Sequence, residues 1–215
     1  MTTRVAIGVE RTPRKSFASA LDWPGWSRAG KTPEFAIEAL LDSAWRYARV
    51  TARAGLELPT TSLEGDVLQS LLGDATTAFG APSVTFDVDR APADSTESRR
   101  IGALVRAAWD TFDATAATAP AELRKGPRGG GRDTAKIVEH VVGAEQAYAR
   151  QVGVRVRAVD PTDAAAVASM RVAILEPLAG ASSGEPLAKW TPRYAARRIA
   201  WHALDHAWEI EDRSR

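Results

Sequence analysis

Four segments of the chain from about residue 95 onward repeat apolar residues every three or four positions, the spacing of an amphipathic helix. Each segment begins at a good helix-capping residue, and the predicted starts are Asp94 or Ser95, then Asp133, Asp160 and Thr191. Pro177 should kink or end the third helix. Four helices with antiparallel connections predict an all-α up-down four-helix bundle.

The first part of the chain has the pattern of a small α+β module. Apolar, partly β-branched runs predict strands at Arg4–Glu10 and Ser16–Leu21, joined as a hairpin. Thr32 is placed to cap a helix that extends to about Arg53, and Gly55 fits its end. We therefore expect an α+β module followed by the bundle, with helix predominating overall.

These patterns divide the chain into three parts. Residues 1–60 form the α+β domain, residues 61–94 form a linker in which Val67 to Leu72 is a candidate strand, and residues 95–215 form the four helices.

Composition excludes several kinds of chemistry. The chain has no cysteine, so disulfides, thiolate catalysis, iron–sulfur clusters and cysteine-ligated zinc are ruled out. Its 28 basic and 27 acidic residues give a formal charge of +1. Such a balance lacks the basic excess of proteins that bind nucleic acid or anionic membranes, and we expect neither as a partner.

Two further features bear on location and source. The N-terminal sequence has no apolar core of a signal peptide, and no apolar run reaches the length of a membrane span, so we expect a cytoplasmic protein. The chain contains 23 arginines against 5 lysines and is rich in alanine, which indicates a GC-rich genome such as that of an actinobacterium.

The three histidines of the chain fall on the apolar stripes of two predicted helices. His202 and His206 are four positions apart, which places them on one face about 6 Å apart along the axis. His140 lies on the corresponding stripe of the second helix. Together the three could hold one divalent ion, zinc first and nickel, iron or manganese as alternatives, with one coordination position left for water or substrate. The alternative is that they are hydrogen-bonded core residues.

Four carboxylates are close to these histidines in sequence. Glu139 and Glu145 flank His140, while Asp205 and Glu209 neighbour the other two histidines. A carboxylate can fix the tautomer of a ligating histidine or act as a general base. We predict Glu209 and Glu145 as the catalytic carboxylates, with Glu209 at the rim of the site, whereas Glu139 and Asp205 fit solvated surface charges equally well.

A glycine-rich loop, residues 126–133 (GPRGGGRD), precedes the second helix. Arg128 and Arg132 beside flexible backbone could bind the carboxylate or phosphate of a substrate or thiol cofactor. The loop lacks the Gly-Lys-Ser/Thr of a nucleotide-binding loop, so ATP or GTP is not expected. The alternative is a flexible connection capped by Asp133.

The region from about residue 95 to residue 215 resembles the DinB-like superfamily of metal-binding four-helix bundles, and residues 133–150 and 197–212 carry the resemblance. The resemblance implies that His140, His202 and His206 form the metal triad. That superfamily includes thiol-dependent isomerases and S-transferases, and its maleylpyruvate isomerase branch typically has glutamate where this chain has His202. The resemblance therefore implies an S-transferase that uses a low-molecular-weight thiol, of the mycothiol type, and an electrophile, and it favours a homodimer.

Residues 16–48 resemble the HicB-like fold in their strand, their proline-glycine turn and the helix that follows. This resemblance implies a packing or partner-binding module. Three alternatives to the transferase therefore stay open. They are a non-catalytic metal-binding or protein-interaction module, a metal-dependent hydrolase or isomerase, and a DNA-associated antitoxin.

Overall fold

The computed structural model describes residues 2–126 and 131–214, which form a four-stranded N-terminal sheet followed by helices. The fold is α+β and mainly helical. No helix of the described residues is both long and apolar enough to cross a membrane. In chain order the elements are β1 Thr3–Arg11, β2 Ser16–Ala20, β3 Ser27–Gly30, α1 Pro33–Asp42, α2 Ala44–Arg53, β4 Leu63–Leu72, α3 Ala75–Phe79, a 3-10 turn Asp87–Arg90, α4 Ser95–Thr118, α5 Thr134–Gln151, α6 Ala164–Ala179 and α7 Pro192–Arg213.

The sheet has the strand order β3-β2-β1-β4. The predicted hairpin is present as β1 and β2, and β3 continues it as a third antiparallel strand that the sequence analysis did not predict. β4 pairs with β1 in parallel, so α1 and α2 form the crossover between these two strands. Ile7 and Leu40 belong to the core between the sheet and α1, where both are fully buried.

The helix predicted from Thr32 to Arg53 is divided into α1 and α2 at Ser43. The buried indole nitrogen of Trp26 donates hydrogen bonds to the Leu40 carbonyl and to Ser43 Oγ, each at 3.0 Å. A buried indole N–H requires an acceptor, and the break in the helix supplies it. This tertiary requirement has no signature in the apolar periodicity.

Three of the four later helices begin where their caps predicted. The side chain of Asp94 accepts hydrogen bonds at the start of α4, Thr191 does so for α7, and α5 begins immediately after Asp133. The predicted start of α6 is wrong by three residues. Asp160 closes a local turn with Thr162 instead, and Asp163 caps the helix.

Each of these four helices packs against at least two others. α4 lies along α7 and α6, and α5 likewise packs against α7 and α6. The shared core contains Val105, Ile137, Ile174 and Leu204, all fully buried. Pro177 lies inside the last turn of α6, which ends two residues later, in agreement with its predicted effect.

Part of the predicted linker, residues 61–94, belongs to the sheet and another part connects the sheet to α7. The candidate strand is present and longer than predicted, so the sheet continues past residue 60. Buried Glu10 on β1 accepts hydrogen bonds from the backbone N–H groups of Ser83 and Val84, at 3.0 Å each. On the other side, the Tyr194 hydroxyl of α7 donates to the Ser83 carbonyl at 2.9 Å. The later part of residues 61–94 therefore connects the sheet to α7 through specific hydrogen bonds.

A buried ion pair completes this connection. Arg197 of α7 donates to Asp89 in the 3-10 turn at 2.6 Å and to the Val84 carbonyl at 3.0 Å. The side chains of Arg197 and Asp89 are only 5% and 2% exposed. Because removal of one partner leaves the other charge buried without compensation, the pair fixes where α7 lies against the sheet.

We expect Arg197→Met to lower the free energy of unfolding by about 3 kcal/mol, because Asp89 would stay buried without its partner. Urea denaturation followed by circular dichroism measures the change. As the control, Lys136→Met removes an ion pair whose side chains are 70% and 59% exposed and should cost less than about 1 kcal/mol. Equal losses in the two variants would contradict the assigned role of Arg197.

Candidate metal centre

The three histidines meet where α5 packs against α7. One ring nitrogen from each of His140, His202 and His206 lies within 4.8 Å of the other two. The Nε2 atoms of His140 and His202 are 3.2 Å apart, and the three ring centroids are separated by 4.7, 4.9 and 5.1 Å. The predicted convergence of the histidines is therefore present.

The donor set and its spacing fit a divalent metal ion. In a tetrahedral zinc site with bonds of about 2.0–2.1 Å, two ligand nitrogens lie about 3.3 Å apart, close to the 3.2 Å between His140 and His202. One N–H···N hydrogen bond could link these two rings, but it would not account for the third ring beside them. Three imidazoles suit zinc, nickel, copper or iron.

Burial keeps the central histidine uncharged. His202 is 7% exposed, and burial together with the neighbouring His206 holds its pKa well below the usual range. Burial and His206 also lower the pKa of the less buried His140. At neutral pH both rings therefore carry the free lone pair that metal binding requires.

Glu209 lies where it can orient His206. The carboxylate oxygen Oε2 is 2.8 Å from His206 Nδ1, and Oε1 accepts a hydrogen bond from Arg213 at 2.6 Å. The contact with His206 lowers the pKa of Glu209, as does Arg213, so this group is a carboxylate. When His206 donates its Nδ1 proton to Glu209, its Nε2 lone pair is left for a metal ion.

Glu145, the other predicted catalytic carboxylate, contacts a different group. Its two oxygens accept hydrogen bonds from Arg171 of α6 at 2.9 and 3.1 Å, and Arg171 also binds Asp113 of α4. Burial raises the pKa of Glu145, and Arg171 opposes that rise. The structure does not bring Glu145 to the histidines. Glu145 is five residues after His140, and at about 100° per residue this places it about 140° away from His140 around the helix.

Of the remaining two carboxylates, Glu139 is exposed on the surface, whereas Asp205 is partly buried and burial raises its pKa. Glu139 pairs with Lys136 and is 59% exposed, while Asp205 lies 3.9 Å from Arg28 and is 42% exposed. Neither is a member of the histidine cluster in the described part of the chain.

An open cleft of about 490 Å³ reaches the cluster at His140. Arg132 and Lys136 supply positive charge to its wall, and Gly143 and Ala144 leave it wide because their side chains are small. Arg132, one of the two predicted anion-binding residues, therefore lies beside the candidate metal site. Arg128, the other, falls outside the described residues.

Two contributors were missed in the sequence. Arg213 is four positions after Glu209, the spacing of a helical ion pair, and that signal could have identified it. Tyr148 packs edge-on against His202 with ring centroids 5.6 Å apart, and the guanidinium of Arg198 lies 5.9 Å from the Tyr148 ring. No spacing rule links Tyr148 to His202, because the contact joins two helices.

We expect protein purified without a histidine tag to contain close to one equivalent of divalent metal. His140→Ala and His202→Ala should each lose most of it, since each removes one of three ligands. Inductively coupled plasma mass spectrometry measures the content, and Tyr148→Phe, which keeps the ring beside His202, is the matched control. Metal that persists in both alanine variants would show that the histidines are not ligands.

We expect Glu145→Gln to leave the metal content unchanged while it lowers the free energy of unfolding by about 3 kcal/mol, because a buried ion pair with Arg171 is broken. The metal assay and a urea titration on the same preparation separate these effects. A normal unfolding transition combined with lost metal would place Glu145 in the site after all.

In comparisons with known proteins, no protein-family model, no curated protein and no solved structure matches the chain. The likeness to DinB-like and HicB-like proteins therefore rests on the residues alone.

Proposed function

We propose that the protein is a divalent-metal-dependent enzyme of the DinB-like class, and that it transfers a low-molecular-weight thiol of the mycothiol type to an electrophile. One observation carries the proposal: His140, His202 and His206 converge within 4.8 Å beside an open cleft. Under this proposal α4 to α7 are the up-down four-helix bundle of that class, and the protein acts in the cytoplasm as a homodimer.

Among the described residues, the three histidines would hold the ion, and the cluster includes no fourth histidine or carboxylate ligand. A metal bound by three protein ligands keeps a position for an exogenous group, which is typical of catalytic rather than structural sites. Such an ion supplies Lewis-acid chemistry that favours the deprotonated form of a thiol or of water.

The contacts that Glu209 makes favour an enzyme over a structural metal module. A structural site would use this carboxylate as a fourth ligand, but its two oxygens are engaged by His206 and Arg213. Glu209 thus holds the His206 ring in one orientation and leaves the cleft side of the cluster open. Its proposed part in the reaction is to orient a ligand.

The cleft favours an anionic substrate. Arg132 and Lys136 lie along one wall, and Glu139 offsets only one of these two charges through its ion pair with Lys136. A carboxylate or phosphate bound at Arg132 would place the rest of the molecule over Gly143 and Ala144, next to His140. These residues bind and orient the substrate, while burial keeps His202 uncharged and Glu209 holds the ring of His206 in one orientation.

Thiol transfer to monochlorobimane tests the proposal. The thiolate sulfur attacks the carbon that bears chlorine, a C–S bond forms as the C–Cl bond breaks, chloride leaves, and the thiol proton passes to solvent. We expect metal-loaded protein with mycothiol to exceed the uncatalysed rate by at least about 100-fold, with His202→Ala at background. Arg132→Ala should raise KM more than it lowers kcat, because it removes a binding contact.

A metal-loaded protein that transfers no thiol, whether mycothiol or bacillithiol, would contradict the transferase proposal. Turnover of an ester or of maleylpyruvate by the same preparation would then favour the hydrolase or isomerase alternative. Protein that binds no metal at all would contradict the whole proposal and favour a protein-interaction module.

A further inference from the structure

The last glycine of the glycine-rich loop, Gly131, lies against the side chain of Arg213. Gly131 has φ +121°, a backbone conformation that favours glycine. A Cβ atom added at Gly131 would lie 2.6 Å from Arg213 Nη2 and 2.9 Å from its Cζ. The lack of a side chain at position 131 therefore leaves the space that the guanidinium occupies.

Arg213 in turn connects this loop to the metal centre. Its Nη1 donates to Glu209 Oε1 at 2.6 Å, and its Nε donates to the carbonyl of Arg124 at 2.9 Å. The other oxygen of Glu209 faces His206 Nδ1 at 2.8 Å. The contacts thus run from the loop backbone through Arg213 and Glu209 to His206.

The segment that carries Arg124 is itself anchored at both helices of the site. The backbone N–H of Arg124 donates to the Arg213 carbonyl at 3.0 Å, at the end of α7. The N–H of Leu123 donates to Asp133 Oδ1 at 3.1 Å, and Lys125 pairs with the same carboxylate at the start of α5. Residues 123–125 therefore join the start of the helix that carries His140 to the end of the helix that carries His206.

We propose that Arg213 is a positioning residue for the metal ligand His206, and that Gly131 is required to seat Arg213. This inference rests on the proposed metal site, and it gives Gly131 a role other than anion binding. The Glu209 side chain is 32% exposed, and the guanidinium holds it in the orientation that contacts His206 Nδ1. If Arg213 is displaced, Glu209 loses the contact that fixes its orientation, and the His206 ring then loses the carboxylate that orients it.

The affinity for Zn²⁺, measured by competition with a chromophoric chelator at constant pH, tests the proposal. Loss of an orienting group beside a ligand typically weakens metal binding 10- to 100-fold. We expect a loss in this range for Arg213→Gln and for Gly131→Ala, with partial recovery in Arg213→Lys, which retains the charge. The visible spectrum of Co²⁺-loaded protein should change in the same variants, because it reports the geometry around the ion.

Two matched controls separate this effect from general destabilisation. Glu211→Gln breaks an ion pair with Arg46 at the same end of α7, away from His206. Gly55→Ala introduces a side chain at another positive φ, +72°, with open space around it. Both should bind Zn²⁺ as the parent does. Parental affinity in both Gly131→Ala and Arg213→Gln would overturn the proposal.

If the parent protein binds no metal, the proposed function fails, and nuclear magnetic resonance of the metal-free protein still decides this inference. The ¹⁵N shifts of His206 should show a single tautomer protonated at Nδ1 in the parent and a mixture in Arg213→Gln and Gly131→Ala. An unchanged tautomer in both variants would show that Arg213 does not position His206.

Discussion

The burial of α7 between the N-terminal sheet and the other helices is the constraint on which the rest of the structure depends. One side of the helix meets the sheet, where Trp201 packs edge-on against Phe17 with centroids 6.1 Å apart. Gly25 approaches Ala200 so closely that a Cβ there would lie 2.8 Å from the Ala200 methyl. With that side fixed by packing and by the Arg197–Asp89 pair, the rotation of α7 about its axis is set. The histidine side then has to face α5.

This arrangement stabilises the neutral state of His202 and His140. Burial of a charge without a partner costs free energy, and His202 is therefore buried as the neutral imidazole rather than as a cation. Its Nδ1 is buried without a partner among the described residues, so packing against Tyr148 holds this ring, whereas a carboxylate holds His206. The two ligands on one helix are thus oriented by different physical means.

Glu145 and Glu209 illustrate how far sequence position alone determines a role. Both are close to a histidine in the chain, but Glu209 is three positions after His206 and shares its side of the helix, whereas Glu145 points away from His140 toward Arg171. Helical geometry could have made this distinction. The identity of each partner could not have been inferred, because Arg171 belongs to another helix.

Local sequence patterns determined several features of this protein. Capping residues set the helix starts at Asp94 and Thr191, apolar runs gave the β1–β2 hairpin, and the helical periodicity placed three histidines on two apolar stripes. These follow from interactions between residues a few positions apart. Only the tertiary structure decided the break at Ser43, the pairing of β4 with β1, and the contact of Gly131 with Arg213. Each of these joins residues that are distant in sequence, and hydrogen-bond acceptors, strand partners and close packing across such distances leave no periodic signal in the chain.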